Sequence, residues 1–432
     1  MSVIGKKLLI LGGTSATYDM VKMAKAMGIY TIVTDNNPVP GVAKQIADET
    51  AMVSTADIDA LIALIKEKHI DGVFTGPSEF NLRNVIQICE KAGLPCYADS
   101  KTWSNCANKD IVKRFCREYG VDCPSEYDVS EDSPEEKLAA VEYPVIVKPV
   151  DGSSSAGVTV CQNSEQLRQA CAQARRLSAS GKIIVEQYID NGGEIFSARY
   201  LLNGDQVVPY LLMDDYIVDP VYRTSLISGF LHAPSKYSAY YMEHMDAPVR
   251  RMIHGMGLRN GCVFFQALPY KGKLYVNDLG FRLSGGMVFK MTGPLMGVND
   301  MQMMLHTVLG EPMFTQAQIS KINLLNNPKR VGQLTVPLMH AGTIGRVEGL
   351  EESKQEHGVL DVLEYYRQGD TVESRALGTL SQLFCRYTLA ADSTEELVAL
   401  ADRIQKKIRI YDTDGKRMNT LQTDFSRMDR MN

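Results

Sequence analysis

Lys148 is the side chain of this sequence set most clearly for chemistry. It lies within Val145-Ile-Val-Lys-Pro149, an apolar strand pattern, where an unpaired ammonium would be costly to bury. The strand runs into Asp151-Gly-Ser-Ser-Ser-Ala-Gly157. Small residues let backbone N–H groups approach phosphate oxygens, and the lysine adds a point charge for them. A second apolar strand, Ile183-Ile-Val185, ends in Glu186-Gln-Tyr-Ile189, with a further carboxylate at Glu194. Together these residues read as a nucleotide site. They do not form a Walker A loop, which needs its lysine after the glycines and opening a helix.

A second constellation is a hairpin. Val263-Phe-Phe-Gln-Ala-Leu268 and Lys273-Leu-Tyr-Val-Asn-Asp278 are joined through Lys271-Gly272. With a three-residue loop centred there, Gln266 faces Asp278 across the strands, about 4.5–5.5 Å apart at Cβ, close enough to share an ion. Strand alternation then puts Asp278, Gly280 and Arg282 on one face. Gln266 offers only a neutral oxygen to a hard cation that prefers carboxylates.

In chain order the sequence carries Asn108-Lys109-Asp110 ahead of a helical run ending at Gly120-Val-Asp-Cys-Pro124, then Lys148 with its loop, then the Glu186 hinge, then Asp278-Leu-Gly-Phe-Arg282-Leu-Ser-Gly-Gly286. This order resembles the ATP-grasp superfamily, the fold of biotin carboxylase, D-alanine:D-alanine ligase and the carbamoyl phosphate synthetase large chain. The resemblance implies an ATP-dependent ligase using ATP and magnesium. A carboxylate would be activated as an acyl phosphate and joined to an amine or similar nucleophile, releasing ADP and phosphate.

By the same resemblance, Lys109 and Lys148 hold phosphates, under a loop that includes Ser153, Ser154, Ser155 and Gly157. Glu186, Gln187, Tyr188 and Ile189 would read the adenine edge, and Glu194 the ribose. Gln266 and Asp278 would take the metal. Arg282 would steady the transferring group, with Lys148 beside it. Arg223, His232, Ser284 and Gly285 are candidates for the acceptor substrates, and Gly12, Thr14 and Glu79 for the substrate side of the N-terminal domain. Relatives typically place Glu on one metal strand and Glu-x-Asn on the next, whereas this chain has Gln266, Asp278 and Gly280. Three accounts stand open: one firmly held magnesium, a second ion supplied from Asp214 or Asp215, or a degenerate ATP-binding module without turnover.

The elements that must position these residues read as an α/β (α+β) chain. Strands at 7–11, 30–34 and 72–75 alternate with helices over 17–27, 57–68 and 80–92, which predicts a parallel sheet covered by helices. Gly12-Gly13 after the first strand and Asp35 after the second suggest a dinucleotide fold, but the third glycine that seats the helix is missing. The expected organisation is a pre-ATP-grasp domain over 1–101, a mobile lid over 102–185 carrying Lys109 and the glycine loop, a larger half over 186–327, and a C-terminal cap over 328–432. Within these, Ser133-Pro134 reads as a capped helix start. Asn203-Gly204 reads as a hairpin turn, and Ala341-Gly-Thr-Ile-Gly345 as a turn.

At 432 residues the chain exceeds one ordinary core. A net charge of −5 offers no basic field for nucleic acid. No apolar run approaches a membrane span, and the expected place is the cytoplasm. Nine cysteines at irregular spacing read as reduced core thiols. The expected partners are small-molecule carboxylate and amine substrates, with a homodimer left open.

Overall fold

The computed structural model describes residues 2–151, 157–218 and 227–428. The N-terminal sheet is parallel, in the order Glu49–Ala51, Tyr30–Thr34, Lys7–Leu11, Gly72–Thr75. Its helices Ser15–Ala26, Ile58–Lys68 and Glu79–Ala92 follow the apolar periodicity closely. Asp57 and Ser78 cap two of them by accepting from Ala60 and Asn81 N–H groups. A short helix, Val42–Ile46, and the strand Glu49–Ala51 fill the segment that carries no periodic signal.

An eight-stranded sheet is the frame of the molecule. Its order is Lys273–Gly280, Asn260–Tyr270, Glu194–Asn203, Gln206–Ile217, Ser228–Ala233, Arg330–Pro337, Leu383–Ala391, Val359–Glu364. A three-stranded lid faces one edge, with Val145–Pro149 between Thr159–Cys161 and Ile183–Gln187. The helix Ser164–Leu177 closes its own small core around Val145, Val147, Leu167 and Cys171.

Packing redraws three expected boundaries. The helices Ser100–Ala107 and Lys109–Tyr119 do not belong to the lid. The second buries Val112 and Cys116 in the same core as Val249 and Met252 of the larger half, so Lys109 stands on the body of the molecule. The N-terminal domain also shares that core, and Lys6 Nζ reaches Leu309 O at 2.6 Å and Glu311 at 2.9 Å. The C-terminal segment after 328 is continuous with the larger half: Phe230 pairs with Leu334, and three of its strands continue the eight-stranded sheet.

Smaller differences have local causes. Ser133 does not cap a helix. Its hydroxyl accepts from Ser130 N–H at 2.9 Å, and the helix Glu135–Ala139 starts after Pro134 without a side-chain cap. Asn203 pairs with Gln206, which moves the turn to Gly204-Asp205. Gly342–Glu348 is a strand paired with Arg409–Asp412 rather than a turn. All nine cysteines are free thiols. Among the described residues no helix is long and apolar enough to cross a membrane.

Candidate active site

A cleft of about 600 Å³ lies between the lid and the cleft-facing side of the large sheet. Lys109 and Lys113 enter it from one helix, Lys148 from the lid's central strand, and Gln266, Asp278 and Arg282 from the hairpin end of the large sheet. Lys109 and Lys113 are four residues apart and therefore on one helix face. The Lys109 N–H donates to Val150 O at 3.2 Å, tying the helix start to the mouth of the glycine loop.

Lys148 is buried, as its strand context requires. Its ammonium pairs with Glu186 Oε1 and donates to Asn277 Oδ1 at 3.1 Å. Glu186 Oε2 meets Lys113 Nζ at 2.7 Å. Burial depresses the Lys148 pKa, with Glu186 opposing. For Glu186 burial works upward, but the two lysines outweigh it and hold the carboxyl below its usual range. The result is a buried triad of two cations and one anion, poised for further negative charge.

The hairpin register is Gln266 opposite Asp278, reached by a different route from the one the sequence suggests. The loop has two residues, Lys271 at φ 48° and Gly272 at φ 74°. A bulge adds Asn277 to the second strand and restores the pairing. Asn277 and Asp278 both line the cleft, and Asp278 Oδ1 lies 3.9 Å from Lys109 Nζ. Gly280 leaves no room for a side chain where the Phe264 ring stands: a Cβ there would meet that ring at 2.2 Å. The ring occupies the space a third ligand would need.

Among the described residues no group of three or more His, Cys, Asp and Glu side chains could hold a metal. One carboxylate flanked by the amides of Gln266 and Asn277 still fits magnesium. That ion keeps several waters and is usually bound by one or two carboxylates plus phosphate oxygens.

The structure separates the remaining candidates. Glu79 reaches the cleft and pairs with Arg282 Nη2 at 3.0 Å. Ser284 and Gly285 lie on the loop that follows Arg282, where Gly285 O accepts from Arg386 Nη1 at 3.1 Å and Ser284 Oγ is buried without a partner. His232 is not in the cleft. It pairs with Asp214, while the adjacent Leu231 and Asp215 take the cleft face. Stacked on Tyr216, it is buried, and desolvation pushes its pKa down to about 4.

Glu194 is on that far side as well. Ile195 and Asp215 line the cleft, whereas the Glu194 carboxylate is held by Lys236 at 3.1 Å and by Tyr216 at 3.2 Å. Asp214 is bound to Ser235 and to the Lys236 N–H at 2.9 Å, so it is turned away from any metal at the hairpin. Asp215 does face the cleft, but Ser228 bonds it. Burial raises the pKa of each of these two aspartates to about 6.

In the hinge, Gln187 N–H is taken by Ser125 O at 2.8 Å and Tyr188 N–H by Pro144 O at 3.2 Å. Gly157, at φ 73°, leaves no room for a side chain: a Cβ there would meet Pro149 at 2.9 Å and Leu177 at 3.1 Å. Ser153, Ser154, Ser155 and Arg223 lie outside the described residues. Gly12 and Thr14 are not among the cleft-lining residues. Asp35 accepts from Gly13 N–H at 2.7 Å and pairs with Lys44 at 2.7 Å, so its carboxylate is already engaged within the N-terminal domain.

Lys113, Asn277, Arg199 and Arg386 escape the sequence reading. A usable signal exists for the two arginines. Each stands in an apolar strand, Ser197-Ala-Arg-Tyr-Leu201 and Phe384-Cys-Arg-Tyr387, the same anomaly that singles out Lys148.

A large antiparallel sheet and a three-stranded sheet over a lysine-lined cleft, beside a parallel N-terminal sheet, make up an ATP-grasp fold. Residues 123–211 match the family model described as "D-ala D-ala ligase C-terminus". Among curated relatives, the formate-dependent phosphoribosylglycinamide formyltransferase of Sulfurisphaera tokodaii is 29% identical over 202 residues, 45% of this chain and 50% of that protein. The enzyme of the same name from Wolinella succinogenes is 24% identical over 72% of this chain and 78% of its own length. The chain otherwise spans about half the length of the first curated relatives it matches. The L-amino acid ligase from Bacillus licheniformis superposes with a TM-score of 0.76 at 20% identity, covering 95% of this chain and 99% of that one. The biotin carboxylase domain of the Hydrogenobacter thermophilus 2-oxoglutarate carboxylase, described as a dimer in complex with MgADP, ADP and bicarbonate, gives 0.76 at 18% identity, covering 94% and 90%. At these identities the structural likeness is one of fold.

Proposed function

We propose that this protein is an ATP-dependent, ADP-forming ligase that activates a small carboxylate as an acyl phosphate and passes it to an amine or similar nucleophile. The observation that carries the proposal is the convergence of Lys109, Lys148, Asp278 and Arg282 on one cleft, with Lys113, Lys148 and Glu186 leaving a buried positive surplus beside it. Triphosphate binding uses that surplus: Lys148 and Lys109 contact phosphate oxygens, a charge-assisted kind of hydrogen bond. In the hinge, the N–H groups of Gln187 and Tyr188 are already engaged and none of Glu186, Gln187, Tyr188 and Ile189 is among the cleft-lining residues, so the resemblance rather than this geometry assigns adenine to the hinge.

Asp278, with Gln266 and Asn277 beside it, would hold magnesium, which when bound would neutralise phosphate charge. Arg282 sits next to that position and steadies the carboxylate as its oxygen attacks the γ-phosphorus and the bond to ADP breaks. Displacement of phosphate by the nucleophile completes the reaction. No side-chain nucleophile is needed, because positioning and electrostatics carry phosphoryl transfer. The Phe264 ring over Gly280 and the engagement of Asp214 elsewhere favour a single firmly held ion over a second one. Cytoplasmic location and a homodimer belong to the same proposal, and light scattering on the purified protein tests the latter. The functional test is ADP release with magnesium and a screen of carboxylate and amine pairs. Binding of ATP without release on any pair would favour the module without turnover.

A further inference from the structure

We propose that Arg199, with Arg386, binds a second anionic group of the acid substrate, so that the acid is a dicarboxylate or a phosphorylated carboxylate rather than a simple monocarboxylate. The inference rests on the ligase reading above and deepens it.

Arg199 lies on the strand Glu194–Asn203 and is only 6% exposed. It pairs with Phe264, which in turn opposes Gly280, so its side chain is on the cleft face of the sheet. Its Nε is buried without a hydrogen-bond partner, and among the described residues no carboxylate forms an ion pair with it. The Phe264 ring lies against it, 5.0 Å from ring centroid to guanidinium carbon. A guanidinium keeps its charge at neutral pH, and a buried charge left unpaired is strongly unfavourable. Asp215 and Asp300 feel its charge at longer range. Ser228 bonds the first of these; Tyr210 bonds Asp300 Oδ2 at 2.8 Å, while Asp300 Oδ1 is buried without a hydrogen-bond partner and forms no ion pair with Arg199 among the described residues.

Arg386, 7% exposed, is in a similar condition. It gives Nη1 to Gly285 O, while its Nε is buried and unpartnered. Its charge also reaches Asp215, which lines the cleft. Ser197 Oγ, Ser284 Oγ and Gln333 Oε1 are buried in the same part of the molecule, again without partners. So many unsatisfied polar groups on one sheet face and its covering loop are not expected of a finished core, where buried polar groups find partners. The planar fork of arginine matches carboxylate and phosphate geometry. Arg282 stacks on the same Phe264 ring at 5.5 Å. The second anion would therefore sit within one small molecule's length of the carboxylate activated at Arg282.

The test uses the full chain loaded with magnesium and a non-hydrolysable ATP analogue, titrated calorimetrically with acetate, succinate, L-glutamate and 3-phosphoglycerate. The expected result is binding of at least one di-anionic acid about 10- to 100-fold tighter than acetate. Arg199→Gln should abolish that margin while leaving the acetate and nucleotide affinities within about twofold, and Arg386→Gln should reduce it in the same direction. The succinate and phosphoglycerate arms say which second anion is preferred. A structural arginine would instead lower the melting temperature of Arg199→Gln with no change in selectivity. Equal binding of acetate and all di-anions, no binding of any acid, or an intact margin in both variants would overturn the inference while nucleotide binding still supports the ligase reading. Failure of the parent to bind the nucleotide would remove that reading, and this inference with it.

Discussion

Replacing Lys148 by Met separates the stability of the lid from its affinity for nucleotide. In the parent, Lys148 and Lys113 share Glu186, with side-chain exposures of 6%, 3% and 2%. Lys148→Met keeps all but the terminal atom of the side chain's length and leaves a balanced Glu186–Lys113 pair, so the buried surplus charge disappears. Its stability should change by no more than about 1 kcal/mol, because a well-packed apolar replacement for a buried charge is often neutral or stabilising. Glu186→Gln does the opposite: it leaves two buried ammoniums with no counter-charge and should cost about 3–5 kcal/mol. Nucleotide affinity should move the other way in Lys148→Met. Loss of one charge-assisted phosphate contact is worth about 1.5–3 kcal/mol, roughly 10- to 150-fold in Kd. Urea denaturation and MgATP calorimetry on the two variants make the comparison. If Lys148→Met unfolds as readily as Glu186→Gln and binds MgATP like the parent, Lys148 is a structural cation and the phosphate assignment is wrong.

Gly280→Asn, which supplies the donor absent from the hairpin, should cost about 1–3 kcal/mol by overpacking, since its Cβ would meet the Phe264 ring at 2.2 Å. Adding Phe264→Ala should recover part of that loss and tighten magnesium binding, as followed by thermal melting and metal titration. Asp215 predicts a pH dependence of stability. Burial raises its folded pKa to about 6 from the ordinary aspartate value of 3.8, so the folded state binds this proton more tightly than the unfolded chain. Its contribution is most favourable below about pH 4 and falls as pH rises towards 6. Asp215→Asn, which fixes a neutral side chain, should therefore gain up to about 3 kcal/mol at pH 8 and little at pH 4. Denaturation at both pH values checks the sign, and a gain confined to the acid side would refute it.

The N-terminal strands were legible almost to the residue because each is an apolar run ended by a turn signal. Lys7–Leu11, Tyr30–Thr34 and Gly72–Thr75 stand where the pattern puts them. Lys148 was legible because a cation in an apolar strand needs an explanation. The Gln266–Asp278 pairing was reached with the wrong loop, since a bulge at Asn277 compensates a two-residue turn and leaves no mark in a period-2 pattern. His232 and Glu194 were misplaced because sequence spacing does not say which face of a strand meets the cleft. One residue of register decides it, and their neighbours Leu231 and Ile195 took that face. The boundary at 328 was drawn on a turn signal, but hydrogen bonding between Ser228–Ala233 and Arg330–Pro337 crosses it. Only tertiary pairing carries that information.

The most direct test of the central claim is calorimetric titration of ATP, with and without magnesium, into the parent and into Asp278→Asn. Among the described residues, Asp278 is the one carboxylate of the Gln266–Asn277–Asp278 group at that end of the cleft. The account predicts that the parent binds ATP more tightly with magnesium, and that Asp278→Asn loses this increment while binding metal-free ATP no more weakly than the parent. A parent that binds no ATP, or a variant that keeps the full magnesium increment, would contradict it.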